Sequence, residues 1–126
     1  MAKMPQQRTP NVTTDDVGRV VRRDCPEHQA SEIMRVLNEY GTEKWQRERD
    51  RVHLAALKLA NGSIRKLQYA IEDAKRDYRN VLTAAEYPAY WRETSQSQGP
   101  RPDAQEVRRI IAEDWAQYEA WLSREG

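Results

Sequence analysis

The chain has 126 residues, about the length of one domain, and a chain of this size can bury a single hydrophobic core. Charged residues make up 33% of it and hydrophobic residues 38%, but 21 basic residues against 20 acidic ones leave a net charge of only +1. This balance excludes the overall basic excess typical of proteins that bind nucleic acids or acidic membranes, so only local patches remain for such contacts.

The sequence carries no predicted membrane span or export signal. No run of hydrophobic residues is longer than four, and the opening residues MAKMP lack the apolar segment of a signal peptide. We therefore expect a cytoplasmic protein without a membrane partner. The single cysteine, Cys25, excludes an internal disulfide and a multi-thiolate metal site.

The chain begins with a segment that predicts no regular structure. Residues 1–12 contain two prolines and no apolar period, which is typical of a disordered leader. Thr13 can then cap a short first helix that runs to about Arg23, because its hydroxyl can accept from the free amides of the first turn.

Two further helices are predicted before the middle of the chain. Pro26 suits the first position of a second helix, which keeps helical spacing until Gly41 ends it. Thr42 can cap a third helix that runs to about Ala60, with a turn over residues 45–50 as the alternative beginning. The end of this third helix is apolar on most sides, which predicts a central position in the bundle.

The fourth helix has the clearest pattern. Asn61 and Gly62 end the helix before it, Ser63 can cap it, and Pro88 stops or bends it. Apolar residues spaced alternately three and four apart predict a heptad seam that packs against a neighbouring helix. The seam consists of Ile64, Leu67, Ile71, Ala74, Tyr78, Val81 and Ala85.

A polar stretch separates this helix from a fifth. Residues 92–102 contain no hydrophobic side chain, which predicts a flexible linker. Asp103 and Glu106 then resemble a capping box at the start of a C-terminal amphipathic helix within residues 103–126. The predicted fold is all-α, a compact bundle of four to five helices after a disordered leader. Residues 13–91 form the bundle itself, and the linker leads to the last helix.

Three segments resemble a family of small bacterial proteins that are usually left as hypothetical. They are LNEYG at 37–41, RERDRVHLAALKLANG at 47–62 and AKRDYRNVLTAAEYP at 74–88. The resemblance extends over roughly Met34 to Trp91. It implies a compact helical unit from a bacterium and supplies no catalytic residues.

The sequence predicts no catalytic residue, no metal site and no cofactor. His28 and His53 fall on different predicted helices, and neither has a second ligand four residues away. Cys25 precedes a predicted helix N-terminus, which would lower the pKa of its thiol, but a capping or core cysteine is the favoured interpretation.

We therefore expect a noncatalytic interaction module, an accessory or immunity-like bacterial protein that binds another protein or a second copy of itself. Aromatic residues at helical spacing on the last helix predict a binding face, together with the aromatic corner around Pro88. The alternative, favoured for the free protein, is that this helix folds back and packs the same face onto the bundle. The candidate partner-binding residues are Trp115, Tyr118, Trp121, Asp114, Tyr87, Tyr90 and Trp91. Among them, Asp114 lies between apolar residues on the hydrophobic side of the last helix. An ionised carboxylate there needs either a buried arginine or a partner protein to pair with.

The alternative function is that of a nucleic-acid-associated regulator. Arginines on the third and fourth helices could contact phosphates, namely Arg47, Arg49, Arg51, Arg65 and Arg76. Acidic residues interleave with them, which favours solvated helix faces of mixed charge.

Overall fold

A computed structural model describes residues 11–95 and 103–124, and these ranges contain six α-helices, one 3-10 turn and no strand. The predicted all-α fold is confirmed, with one helix more than expected. No helix within the described ranges is long and apolar enough to cross a membrane. The elements are α1 (Thr14–Asp24), the 3-10 turn (Glu27–Gln29), α2 (Ala30–Leu37), α3 (Arg49–Ala60), α4 (Ile64–Glu86), α5 (Pro88–Ser95) and α6 (Ala104–Ser123).

Helix α3 lies at the centre of the fold, as its apolar composition predicts. It packs along α4 and against α1, and most of its side chains are buried on every side. The buried residues of α3 are Arg51, Val52, His53, Leu54, Ala55, Ala56, Leu57 and Ala60.

Helix α1 begins where the sequence predicts. The hydroxyl of Thr13 accepts from the N–H of Asp16, and the carboxylate of Asp16 accepts from the N–H of Thr13, which completes a capping box. The side chains that α1 buries are Val17, Val20 and Val21. Residues 1–10 of the predicted leader lie outside the described residues, but Val12 packs half-buried against the core, so the leader prediction is wrong at that residue.

The region between α1 and α3 differs most from the prediction. The second helix opens with a 3-10 turn and ends at Leu37, and α3 begins at Arg49 rather than after Thr42. A turn-rich connection therefore occupies residues 38–48. The alternative of a turn before α3 is confirmed for residues 45–48, whereas residues 49 and 50 already belong to the helix. Side-chain hydrogen bonds of Gln46 and Tyr40 hold this connection in a non-helical conformation.

Helix α4 uses the predicted seam. Five of the seven seam residues are buried, and Ile64 and Tyr78 pack half-buried against the same core. The helix is not continuous, however, because Asp77 has non-helical backbone angles (φ −157°, ψ 101°). The Asp77 carboxylate accepts from the N–H of Arg79 at 3.1 Å, so a local side-chain bond replaces a helical one and produces a kink.

The last two helices pack on each other and on α4. Tyr87 ends α4, and α5 starts at Pro88, the residue predicted to stop the long helix. Helix α5 continues to Ser95, into the segment predicted as a linker, and residues 96–102 lie outside the described part of the chain. Helix α6 starts as predicted, with the Asp103 carboxylate accepting from the N–H of Glu106 at 2.8 Å.

Candidate interaction surface

Between α2 and α3, residues 41–48 form a loop that we name the Trp45 loop. The side chain of Gln46 organises it, because Oε1 accepts from the N–H groups of Gly41 at 2.8 Å and Glu43 at 3.1 Å. The N–H of Gln46 in turn donates to the carbonyl of Glu43 at 3.0 Å. These three hydrogen bonds close the loop on itself independently of the hydrophobic core.

Tyr40 and His53 join the Trp45 loop to the core. The Tyr40 hydroxyl donates to the carbonyl of Arg47 at 2.7 Å, and burial raises the pKa of Tyr40 to about 12, so the hydroxyl keeps its proton. Nε2 of His53 lies 3.0 Å from the carbonyl oxygen of Tyr40. Because a carbonyl only accepts, this contact assigns a proton to Nε2. Burial lowers the pKa of His53, which favours the neutral ring.

Both ends of the loop have left-handed backbone, with φ +105° at Gly41 and +58° at Glu48. A Cβ added at Gly41 would lie 2.7 Å from Cγ and Cδ of Arg49, whose guanidinium donates to Oδ1 of Asn38 at 3.1 Å. Left-handed backbone costs a residue other than glycine about 1–3 kcal/mol. The contacts around Glu48 therefore impose a conformation that the residue would not adopt by itself.

Trp45 lies near the middle of this loop with 63% of its surface exposed. Among the described residues, only Tyr69 and Leu59 are other large hydrophobic residues in the exposed class. A depression of about 330 Å³ opens at the end of the loop, where Glu48 adjoins the start of α3 and Asn11. The charged residues of the loop and its edge are exposed and of both signs: Glu43, Lys44, Arg47, Glu48 and Arg49.

The arginines predicted to contact nucleic acid do not form one patch. Arg47 and Arg49 are exposed beside the start of α3, whereas Arg65 lies on α4 just past the turn that follows the other end of α3. The length of α3 separates Arg65 from Arg47 and Arg49 by about 16 Å along its axis, whereas Arg76 lies near the middle of α4, on the part of the helix that packs back along α3.

Arg51 is placed differently from the prediction. Its guanidinium is buried and donates two hydrogen bonds to the carboxylate of Glu86, Nε at 2.8 Å and Nη2 at 2.6 Å. Burial raises the pKa of the Glu86 carboxyl, and the bonds from Arg51 oppose that shift. The nucleic-acid prediction is thus wrong for Arg51, because its donors are committed inside the fold.

The aromatic face of α6 is turned toward the rest of the chain. Tyr118 is 1% exposed, and its ring lies 5.6 Å from that of Trp121. The guanidinium of Arg23 stacks 5.2 Å from the Trp121 ring and donates to the Trp121 carbonyl at 2.8 Å, which ties α1 to the end of α6. The burial of Tyr118 agrees with the predicted packing of this face onto the bundle, while Trp115 and Trp121 are half-buried.

The carboxylate of Asp114 is held by backbone groups rather than by the buried arginine that the sequence suggested. Its two carboxylate oxygens accept from backbone N–H groups at the start of α5, Ala89 at 3.0 Å and Tyr90 at 2.8 Å. Burial raises the pKa of Asp114, and these two bonds oppose the shift. A side chain of α6 thus caps another helix. The predicted partner contacts at this corner are also covered in part, because Tyr87 is buried and Tyr90 and Trp91 are half-buried.

The surroundings of Cys25, His28 and His53 do not favour a catalytic or metal-binding role. Cys25 ends α1, half-buried, and burial together with the charge of Asp24 raises the pKa of its thiol rather than lowering it. His28 lies exposed in the 3-10 turn, away from the buried His53 of α3. Within the ranges that the structure describes, no group of three or more potential ligands could hold a metal ion.

Sequence reasoning gave a turn over residues 45–50 only as the alternative to a helix and did not select Trp45 as a binding residue. The available signal was a tryptophan within a charged run, between Gly41 and the first apolar residues of α3. No protein-family model, curated protein or solved structure matches this chain. The resemblance to a bacterial family therefore remains a prediction.

Proposed function

We propose that this protein is a noncatalytic interaction module that binds another protein through the Trp45 loop. The observation that carries the proposal is the exposure of Trp45, 63%, on a loop whose backbone is fixed by Gln46 and Tyr40. Tryptophan is the residue type most enriched among binding hot spots, and an ordered loop loses little conformational entropy when it binds. A bacterial cytoplasmic setting belongs to the proposal and rests on the sequence alone.

The charges around Trp45 favour a protein partner. Lys44, Arg47 and Arg49 alternate with Glu43 and Glu48, and all five side chains are exposed. A rim of both signs around an aromatic residue is typical of protein interfaces. The raised pKa of the Cys25 thiol and the burial of His53 support a noncatalytic role.

One observation favours the alternative, a nucleic-acid-associated regulator. An exposed tryptophan beside Arg47 and Arg49 provides a stacking surface next to phosphate-binding groups, which is how single strands are bound. The carboxylates of Glu43 and Glu48 in the same loop repel a phosphate backbone and weigh against this alternative.

A photo-cross-linking experiment distinguishes the two. A diazirine amino acid replaces Lys44 in the full chain, with Trp45 either intact or changed to alanine, and cells of the native host are irradiated. Adducts that contain peptides of another protein and disappear in the Trp45→Ala chain support the proposal. Adducts that contain nucleotides overturn it in favour of the alternative. The absence of any adduct that depends on Trp45 overturns both.

A further inference from the structure

The main hydrophobic core belongs to α1–α4 and the connection between α2 and α3. Its buried members all lie within residues 17–85. Of the described residues of α6, the two that pack against it are Trp121 and Leu122, both half-buried. Four buried hydrophobic residues lie outside this core, where α4 meets α5 and α6: Tyr87, Ile110, Ile111 and Tyr118. Helices α5 and α6, which we name the α5–α6 pair, therefore form a separate layer on the bundle of α1–α4.

The α5–α6 pair is also held together from within. Both carboxylate oxygens of Asp114 on α6 accept from N–H groups of α5, those of Ala89 and Tyr90. Tyr87, between α4 and α5, has non-helical backbone angles (φ −132°, ψ 55°), so a movement at this residue interrupts no helix. The two helices can therefore leave the bundle as one unit.

Two buried hydroxyls oppose the docking of α6 on α4, those of Tyr118 on α6 and Thr83 on α4. Neither has a hydrogen-bond partner among the residues that the structure describes. They lie near the same point, because burial and the nearby charge of Glu86 raise the pKa of Tyr118, and Thr83 lies one turn before Glu86 on the same side of α4. A buried hydroxyl without a partner gives up the hydrogen bonds that water would supply, so both weaken the docked state.

Arg23 of α1 holds the end of α6 on the bundle. Its Nη1 donates to three carbonyls, those of Trp121 at 2.8 Å, Leu122 at 3.2 Å and Arg124 at 2.8 Å. Asp24 fixes the same guanidinium through Nε at 2.7 Å and Nη2 at 2.9 Å, and the Arg23 side chain is only 4% exposed. The last carbonyls of a helix have no partner within that helix, so a cation that binds them stabilises its negative end. A single side chain thus closes this contact.

We propose that the α5–α6 pair is a hinged cover, latched by Arg23, that undocks as a unit while α1–α4 stay folded. Opening breaks the bonds of Arg23 and exposes the hydroxyls of Tyr118 and Thr83 to water. It leaves the hydrophobic core of α1–α4 in place. The chain therefore has a second state, reached without global unfolding, in which the aromatic rings of Tyr118 and Trp121 face solvent.

Native-state hydrogen exchange of the full chain in low urea tests this opening. Most of the stability of a helix in a protein comes from its packing, so the amides of α6 exchange from the undocked state. In the wild type we expect them to exchange at least about tenfold faster than those of α3, with a weaker dependence on urea because less surface is exposed. Ile33→Val, in the core of α1–α4, should accelerate exchange in α3 about fivefold and leave α6 unchanged, because it weakens the docked and undocked states alike.

Two further substitutions act on the docking contact itself, in opposite directions. Arg23→Met keeps most of the apolar stem but removes the donors, so α6 should exchange at least about tenfold faster. Tyr118→Phe removes a hydroxyl without a partner, so α6 should exchange about threefold more slowly. Arg22→Met on α1 and Tyr69→Phe on α4 make the same changes at exposed positions and should leave α6 unchanged.

Equal exchange of α3 and α6 in the wild type, with the same urea dependence, overturns the proposal, because the chain then unfolds as one unit. An Ile33→Val chain in which α6 accelerates as much as α3 overturns it for the same reason. Unchanged exchange of α6 in Arg23→Met, or faster exchange in Tyr118→Phe, also overturns it, because these groups then do not control the docking.

Discussion

The guanidinium of Arg51 and the carboxylate of Glu86 form a bidentate ion pair inside the fold, with donor–acceptor distances of 2.8 and 2.6 Å. Arg51 lies in the first turn of α3 and Glu86 is the last residue of α4, so the pair joins two ends of the central helices. Both side chains are buried, where an ion pair repays its desolvation only if each partner is present.

Removing one partner of this pair should therefore cost much more than removing both. We expect Glu86→Leu to lower the free energy of unfolding by about 3–5 kcal/mol, because it leaves the Arg51 charge buried without compensation. The double variant Arg51→Met, Glu86→Leu should recover most of that loss. Urea denaturation of the wild type, both single variants and the double variant measures the coupling, and strictly additive losses would contradict it.

The facing of α4 can be checked with one substitution at two positions. Ile71 is 1% exposed on the seam, whereas Tyr69 is 67% exposed on the outer side. Ile71→Asp should lower the free energy of unfolding by about 3–5 kcal/mol, because it removes apolar burial and buries a charge. Tyr69→Asp should change it by less than about 0.5 kcal/mol. Equal melting temperatures would show that the helix faces are assigned wrongly.

The burial of His53 predicts a loss of stability in mild acid. Burial lowers the pKa of the folded-state imidazole below its ordinary value of 6.5, so the unfolded chain binds the proton more tightly. The stability that neutral His53 contributes is present above pH 6.5 and is lost as the pH falls toward the lowered pKa, by up to about 1.4 kcal/mol per pH unit. His53→Gln keeps a donor for the Tyr40 carbonyl but does not titrate.

Denaturation curves between pH 7 and pH 5 measure this difference. The wild type should lose stability relative to His53→Gln over that interval. The control is His28→Gln, which makes the same substitution in the exposed 3-10 turn and should follow the wild type. If the wild type and His53→Gln lose stability in parallel, the buried neutral state of His53 is refuted.

Local patterns predicted the fold well where a helix is specified by its own sequence. The Thr13 cap and the seam through Ile71 depend on neighbours three or four residues away, and both predictions are confirmed. The kink at Asp77 was missed because hydrophobic spacing does not change there. Its cause is a side-chain contact: the Asp77 carboxylate accepts from the N–H of Arg79, two residues later, in place of a helical carbonyl. Helix α3 was predicted to begin too early, after Thr42, because spacing does not register Gln46, whose side chain holds a loop there instead.

The residues predicted to bind a partner or nucleic acid were harder to place, because long-range contacts decide which of them are buried. Nothing local separates the buried Arg51 from the exposed Arg49 in the run RERDR, since the partner of Arg51 lies 35 residues away. Asp114 was correctly singled out as a carboxylate on an apolar arc, but its partners are backbone amides, which no side-chain pattern reveals. Hydrophobic periodicity says nothing about a tryptophan in a turn. The one local signal for Trp45 was its position within a charged run, and its exposure is what selects it as a binding residue.

The contact between α6 and α5 gives a further prediction about Asp114. Asp114→Ala leaves two N–H groups at the start of α5 without their acceptor and should cost about 1–3 kcal/mol. The amides of Ala89 and Tyr90 should then exchange with solvent faster than those of α3. Glu113→Ala, an exposed neighbour on α6, should leave both quantities nearly unchanged. Slow exchange of the two amides in Asp114→Ala would show that another group caps α5.

The contribution of loop order to binding can be tested without changing Trp45 itself. Gln46→Ala removes the acceptor for the amides of Gly41 and Glu43 but leaves Trp45 exposed. The free energy of unfolding should fall by only about 1 kcal/mol, while exchange of these two amides accelerates. If binding depends on a preformed loop, the yield of cross-links from a diazirine at position 44 should also fall in Gln46→Ala, because the partner must then order the loop on contact.

Gln105→Ala, exposed on α6, serves as the control for the loss of one glutamine. An undiminished cross-linking yield in a loop with fast-exchanging amides would mean that Trp45 binds without preorganisation, and the contacts of Gln46 would then be structural only.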